Sequence, residues 1–153
     1  MSTLQDVLSA RTRDGDLYEP LANQWVHCYA CGHDCKIPDG GLGVCKVRFN
    51  QRGHLRVPWG YTGGTQCDPV EKKPFFHAHP GALAYSFGML GCDLHCAYCQ
   101  NWVTSQALRD SAALAPPIDA TPEALVHDAM RLGAKGAQAL AEARDDLASP
   151  DAA

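Results

Sequence analysis

Seven of the eight cysteines fall into two tight groups, and one group has three members where a metal site usually has four. Cys92, Cys96 and Cys99 stand in the run Gly91-Cys-Asp-Leu-His-Cys-Ala-Tyr-Cys-Gln-Asn101, a Cys-x3-Cys-x2-Cys spacing. Three thiolates satisfy three irons of a four-iron, four-sulfur cluster and leave the fourth iron open to another ligand. Clusters that only carry electrons use four cysteines, and closed structural zinc sites also use four ligands. The spacing therefore points to cluster chemistry at an open iron. The competing reading is a zinc loop in which His95 or another residue is the fourth ligand. His95 directly precedes Cys96, which is awkward for closing a tetrahedron in so short a loop.

The other group is Cys28-x2-Cys31-x3-Cys35-x9-Cys45, four thiols within 18 residues. Four soft ligands at this spacing suit tetrahedral zinc or a second iron–sulfur cluster. The Cys-x2-Cys opening and glycine-rich setting favour zinc, and the neighbouring three-cysteine loop favours a cluster. His27 and His33 are adjacent polar residues that could substitute for a ligand. Cys67 stands alone and reads as a small hydrophobe.

The elements that must position these groups follow from pattern. Residues 1–24 read as a polar leader with a short amphipathic helix hinted at by Leu4, Val7 and Leu8. Residues 25–65 form a cysteine- and glycine-rich module with short strands at 43–49 and 54–57 and a turn at 50–53. So few apolar residues need a metal staple. Residues 66–135 begin with an extended, proline-containing connection, then the apolar strand 83–89, which runs into the three-cysteine loop. Trp102–Ala107 reads as a helix start or irregular segment, and 111–119 as a linker. Thr121-Pro122-Glu123 opens a helix, with Thr as cap and Pro in the first turn. Leu125, Ala129 and Leu132 repeat at helical spacing, and Gly133 ends the helix. Strand, loop and helix in this order predict the opening βα unit of a parallel α/β fold. Residues 136–153 form an alanine-rich tail, read as helix or tail.

Composition excludes several classes. The chain has 153 residues, 46% hydrophobic and 20% charged, with a formal charge of -4. That suits an ordinary globular domain rather than a disordered segment, and gives no general affinity for nucleic acid. No window approaches the roughly 18 apolar residues of a membrane span. The N-terminus lacks a secretory signal, so a cytoplasmic location is expected, and in a reducing compartment clustered cysteines bind metal rather than form disulfides.

Several ordered blocks resemble the radical S-adenosylmethionine (SAM) superfamily, specifically the radical SAM enzyme of the AmmeMemoRadiSam system, related to pyruvate formate-lyase activating enzymes. They are Cys28–Cys35, Gly41–Arg48, Asp68-Pro-Val-Glu-Lys-Lys-Pro74, His79-Pro-Gly81, the loop Gly91–Cys99 with Tyr98 before its last cysteine, and Cys99–Gln106, together spanning about Cys28 to Gly133. The resemblance implies a partial TIM barrel preceded by the cysteine-rich module. It implies a four-iron, four-sulfur cluster on Cys92, Cys96 and Cys99, with SAM on the open iron and Tyr98 near its adenine. One electron from flavodoxin or ferredoxin would cleave SAM and release a 5′-deoxyadenosyl radical that abstracts hydrogen from an unidentified substrate, a protein being one candidate.

The family's Tyr-x-Glu-Pro-like SAM-binding stretch is missing, and only 54 residues follow Cys99 (153 minus 99), too few for a full barrel. A truncated or frameshifted continuation is the expectation. Two other readings stay open: a non-catalytic iron–sulfur or zinc-binding module, and a zinc-ribbon interaction protein. Glu71, Lys72 and Lys73 read as a family block or a solvated turn. His77 and His79 read as substrate-facing or locally bonded, and Gln100 and Asn101 as helix-capping or SAM-orienting residues.

Overall fold

The computed structural model describes residues 3–73, 75–110 and 115–134. The expected tail at 136–153 lies outside them. The chain divides into two units, Met1–Gly64 with Gly88–Asp119, and Thr65–Phe87 with Ala120–Ala153.

The first unit opens on helix α1 (Leu4–Ser9), closed by a reciprocal cap. The Thr3 hydroxyl accepts the Asp6 N–H, and the Asp6 carboxylate accepts the Thr3 N–H. The stretch expected as a leader then supplies β1 (Thr12–Asp14) and β2 (Tyr18–Pro20). β2 pairs with β3 (Val26–Cys28), and β3 with β4 (Cys35–Ile37), both antiparallel. β5 (Phe49–Gln51) and β6 (His54–Pro58) form a hairpin, with β1 on the far edge of β6. Arg52 and Gly53 turn this hairpin at φ 54° and 82°, the positive values that two-residue hairpin loops require. A last pair joins β7 (Tyr61–Thr62) to β10 (Ile118–Asp119), beside an Arg11–Asp119 ion pair.

Two apolar clusters hold this unit. Val26, Cys28, Ile37 and Leu55 form one; Leu8, Tyr61, Leu90, Ala107 and Ala115 form the other. Each fully buried aliphatic side chain contributes about 1.5–3 kcal/mol. Burial pushes the Tyr61 phenol up to about 12, with the Arg11 charge pulling partly the other way. A raised acid pKa favours folding below the unfolded value near 10 and is lost as pH climbs towards 12. Over that window the unit is expected to lose about 2–3 kcal/mol. Alkaline denaturation of Tyr61→Phe, which should lack this loss, checks it.

In the second unit, β8 (Gly64–Pro69) pairs with β9 (Leu83–Gly88), and helix α3 (Pro122–Arg131) follows. The Thr121 hydroxyl accepts the Ala124 N–H, and Gly133 at φ 75° ends the helix, as expected from sequence. Val70, Phe75, Ala82, Tyr85, Leu125 and Ala129 line an apolar cavity of about 550 Å³.

The α/β architecture expected from sequence, a partial TIM barrel opened by a parallel βα unit, is not the one observed. Among the described residues, the strands are two to six residues long and sit in four separate sheets of two or three. The three α-helices among them are four to ten residues long. The pairings in the three sheets of the first unit are antiparallel. Among the described residues, parallel pairing is limited to one isolated bridge, Leu83 to Ala134. The physical reason is local. The stretch before β9, expected as a connection, forms β8 and pairs with it, and the short strands of the first unit lack the long apolar runs that parallel sheets bury on both faces.

Candidate metal centre

All seven grouped cysteines belong to the first unit, where the four of the earlier group sit on the β3–β4 pair, its connecting turn and a second turn. Cys28 and Cys35 face each other across the β3–β4 pair. Cys31 lies in the connecting turn, its carbonyl accepting the Asp34 N–H at 3.3 Å. Cys45 rides a second turn in which Lys46 N–H donates to Gly43 O at 3.0 Å and Gly43 N–H to Arg48 O at 2.8 Å. Lys46 takes φ 66° there, so the expected strand at 43–49 is broken into a turn and only Phe49 joins β5. The four cysteines line one cavity of about 280 Å³, and Cys92 lines it too. The Arg48 guanidinium donates to Cys28 Sγ at 3.8 Å, a positive charge suited to the negative charge that thiolate ligands carry.

The three-cysteine loop is fastened to this module at three points. Gly91, at φ 82°, lies so close to the Cys45 carbonyl that a Cβ would sit 2.8 Å from its oxygen. Arg109 Nη2 donates to Val44 O at 2.8 Å and to Cys92 O at 2.9 Å, spanning both turns. His33 Nε2–H donates to the Asp93 carbonyl at 3.1 Å.

Within the loop, Cys99 N–H donates to Cys96 O at 3.2 Å and Leu94 N–H to Cys92 Sγ at 3.4 Å. Cys99 Sγ contacts Ser105 Oγ at 3.3 Å. Gln106, only 3% exposed, pins the loop from behind: it accepts from His95 Nδ1–H at 2.8 Å and donates to Leu94 O at 3.0 Å. His95 also meets the Trp102 ring edge-on at 5.1 Å. These contacts commit its Nδ1 to Gln106 rather than to a metal. Helix α2 (Trp102–Ser105) follows, with Asn101 at its start but making no side-chain cap. Tyr98 stands out at 88% exposure, open to a ligand's ring, and Gln100 is exposed as well.

The structure thus brings Cys28, Cys31, Cys35, Cys45 and Cys92 to one cavity and leaves Cys96 and Cys99 outside its lining. All eight cysteines are free thiols. Among the described residues, no three His, Cys, Asp or Glu side chains already stand in a metal-binding arrangement. His27 lies 3.7 Å from both Glu19 and Asp34, a polar role rather than a ligand's. In the second unit, Lys72 and Lys73 pair with Asp68 at 2.9 and 3.3 Å and hold its carboxyl below its ordinary value. Glu71 accepts the Gly81 N–H at 2.6 Å, which lowers it too. Within this block, Asp68 and the two lysines bond one another, while Glu71 reaches out to Gly81. His77 and His79 are exposed, His79 giving its carbonyl to Ala82 N–H, and Cys67 lies half-buried in β8.

Comparison with known proteins adds one relative. Over 125 residues the chain is 37% identical to an uncharacterized protein of Methanocaldococcus jannaschii. The match covers 81% of this chain and 37% of that protein, so the chain spans little more than a third of its relative's length. No protein-family model matches, and no solved structure gives a significant match.

Sequence reasoning missed Arg109, Gln106 and Arg48 as parts of the site. Arg48 and Gln106 fall inside blocks of the resemblance and Arg109 in none, but spacing assigned none of them a role, because each acts through a carbonyl, an imidazole or a sulfur brought near by folding. Gly91 had a signal, a glycine directly before the first loop cysteine.

No helix among the described residues is long and apolar enough to cross a membrane.

Proposed function

We propose that the chain carries the cluster loop of a radical SAM enzyme of the activating-enzyme-like type. The observation that supports this best is a Cys-x3-Cys-x2-Cys loop of three free thiols, held rigidly from behind by Gln106 and Arg109. The donor set fits a four-iron, four-sulfur cluster: three soft sulfurs, a backbone N–H aimed at one of them and a hydroxyl on another.

Cys92, Cys96 and Cys99 would hold the cluster. When bound, it would supply an open iron and one electron for reductive cleavage of SAM, and the protein supplies position and electrostatics. Gln106 holds the loop through Leu94 and His95, and Arg109 holds the Cys92 carbonyl. Exposed Tyr98 offers a ring to adenine. The implied electron donor is flavodoxin or ferredoxin, with a substrate of unassigned class.

Anaerobic reconstitution is expected to give about four irons per chain and, with dithionite and SAM, 5′-deoxyadenosine. Cys96→Ala should lose both; a variant that keeps the full brown chromophore refutes the assignment. A second reading, a metal-holding module without turnover, draws on the four further cysteines gathered on one cavity. Cluster without 5′-deoxyadenosine would favour it.

A further inference from the structure

The cavity beneath the two turns gathers five thiols, Cys28, Cys31, Cys35, Cys45 and Cys92, whereas one tetrahedral ion takes four. We propose that Cys28, Cys31, Cys35 and Cys45 form a closed zinc site, and that filling it reserves Cys92 for the Cys92–Cys99 loop. Only the role given to that loop rests on the function proposed above.

Geometry favours a single ion over a second cluster. Cys28 and Cys35 are directly opposed on neighbouring antiparallel strands, where Cα atoms stand about 4.5–5.5 Å apart. A zinc ion with bonds of about 2.3 Å holds its sulfurs about 3.8 Å from one another, a span such a pair meets with little movement. A four-iron cube places each thiolate on a different iron and spreads them further, against the hairpin. Cys31 and Cys45 come from turns lining the same cavity, and binding must draw their sulfurs onto the ion, since no metal-binding group already stands there among the described residues. Arg48, beside Cys28, offsets the net negative charge of a four-thiolate zinc site.

The coupling to Cys92 is mechanical. The Cys45 turn and the Cys92 loop are joined by Gly91 against the Cys45 carbonyl and by Arg109 on Val44 O and Cys92 O. Four thiolates on one ion leave no coordination position for a fifth. Cys92 is then excluded from that site while its backbone stays anchored beside it.

The test uses the full chain, stripped of metal under anaerobic conditions and given zinc alone or, in a second arm, zinc with iron and sulfide. Bound zinc is counted, and each cysteine is then alkylated and read by mass spectrometry. Zinc is expected at one ion per chain, and to slow alkylation of Cys28, Cys31, Cys35 and Cys45 at least ~10-fold while Cys92, Cys96 and Cys99 stay reactive. Cys45→Ser should lose the zinc and Cys92→Ser should keep it. Protection of Cys92 in place of any of the four, absence of zinc binding by the unaltered chain, or iron and sulfide taken up at these four residues with zinc present each overturns the proposal. Zinc bound as described, with no iron cluster formed afterwards, would count against the radical-enzyme reading alone.

Discussion

Gly91→Ala is expected to destabilise the first unit by about 2–5 kcal/mol, because two independent penalties fall on one methyl group. At φ 82° a non-glycine residue enters the left-handed region, at a cost of about 1–2 kcal/mol. The new Cβ would also lie 2.7 Å from Val47 Cγ1 and 2.8 Å from the Cys45 carbonyl oxygen. Overpacking of this kind costs about 1–3 kcal/mol, and the backbone oxygen has nowhere to retreat. Since Gly91 N–H also bonds Thr104 O at 2.9 Å, displacement would disturb α2 and both cysteine turns, so the metal binding proposed above should fall with stability. Gly64→Ala is the control, with no atom within 4 Å of its would-be Cβ and no positive φ. Urea midpoints of the two variants decide the matter, and an unchanged midpoint for Gly91→Ala would remove the close approach as an explanation.

The second large effect is expected at Asn50, whose side chain is completely buried. Its Nδ2 donates to Gln24 O at 2.6 Å and Ile37 O at 2.9 Å, while its Oδ1 accepts the Gly53 N–H at 2.9 Å. One amide therefore ties β4, the turn before β3 and the β5–β6 hairpin together. Asn50→Ala leaves three backbone groups to find other partners and should cost about 2–4 kcal/mol. Asn50→Asp should cost more at neutral pH, about 3–5 kcal/mol, because a carboxylate would face two carbonyl oxygens with no proton to share. Its pKa would be raised in the folded chain. The excess penalty over Asn50→Ala is then absent below the unfolded value near 3.9 and grows as pH rises through it. Denaturation at pH 4 and pH 7 tests the sign, and a penalty larger at the lower pH would contradict it.

Much of the local structure was legible because single residues dictate it. Thr121 and Pro122 announced α3, Gly133 its end, and Arg52-Gly53 the hairpin that joins β5 to β6. The strand at Leu83–Gly88 followed from its apolar run. The partner of that strand did not, since β8 carries polar Thr65, Gln66 and Asp68 and read as a connection. That β9 takes the preceding strand on one edge is a long-range decision that periodicity does not encode, and there the barrel expectation failed. The site divides the same way. Spacing named the cysteines, but not that Cys92 lines the cavity of the earlier four, nor that Arg109 joins the two turns. Those contacts join positions such as Cys45 and Cys92, 47 apart in sequence (92 minus 45), and depend on main-chain carbonyls, which no residue type advertises.

The first unit is assembled from two stretches of chain separated by Thr65–Phe87, and this gives its assembly a schedule. Ribosomes add about 5–20 residues per second, so Cys92 emerges roughly 2–9 s after Cys45. During that interval the earlier four sulfurs are exposed to cellular metal without competition from the later three. On the two-site arrangement proposed above, the gene's linear order would sort identical thiols between two destinations before the finished protein must tell them apart.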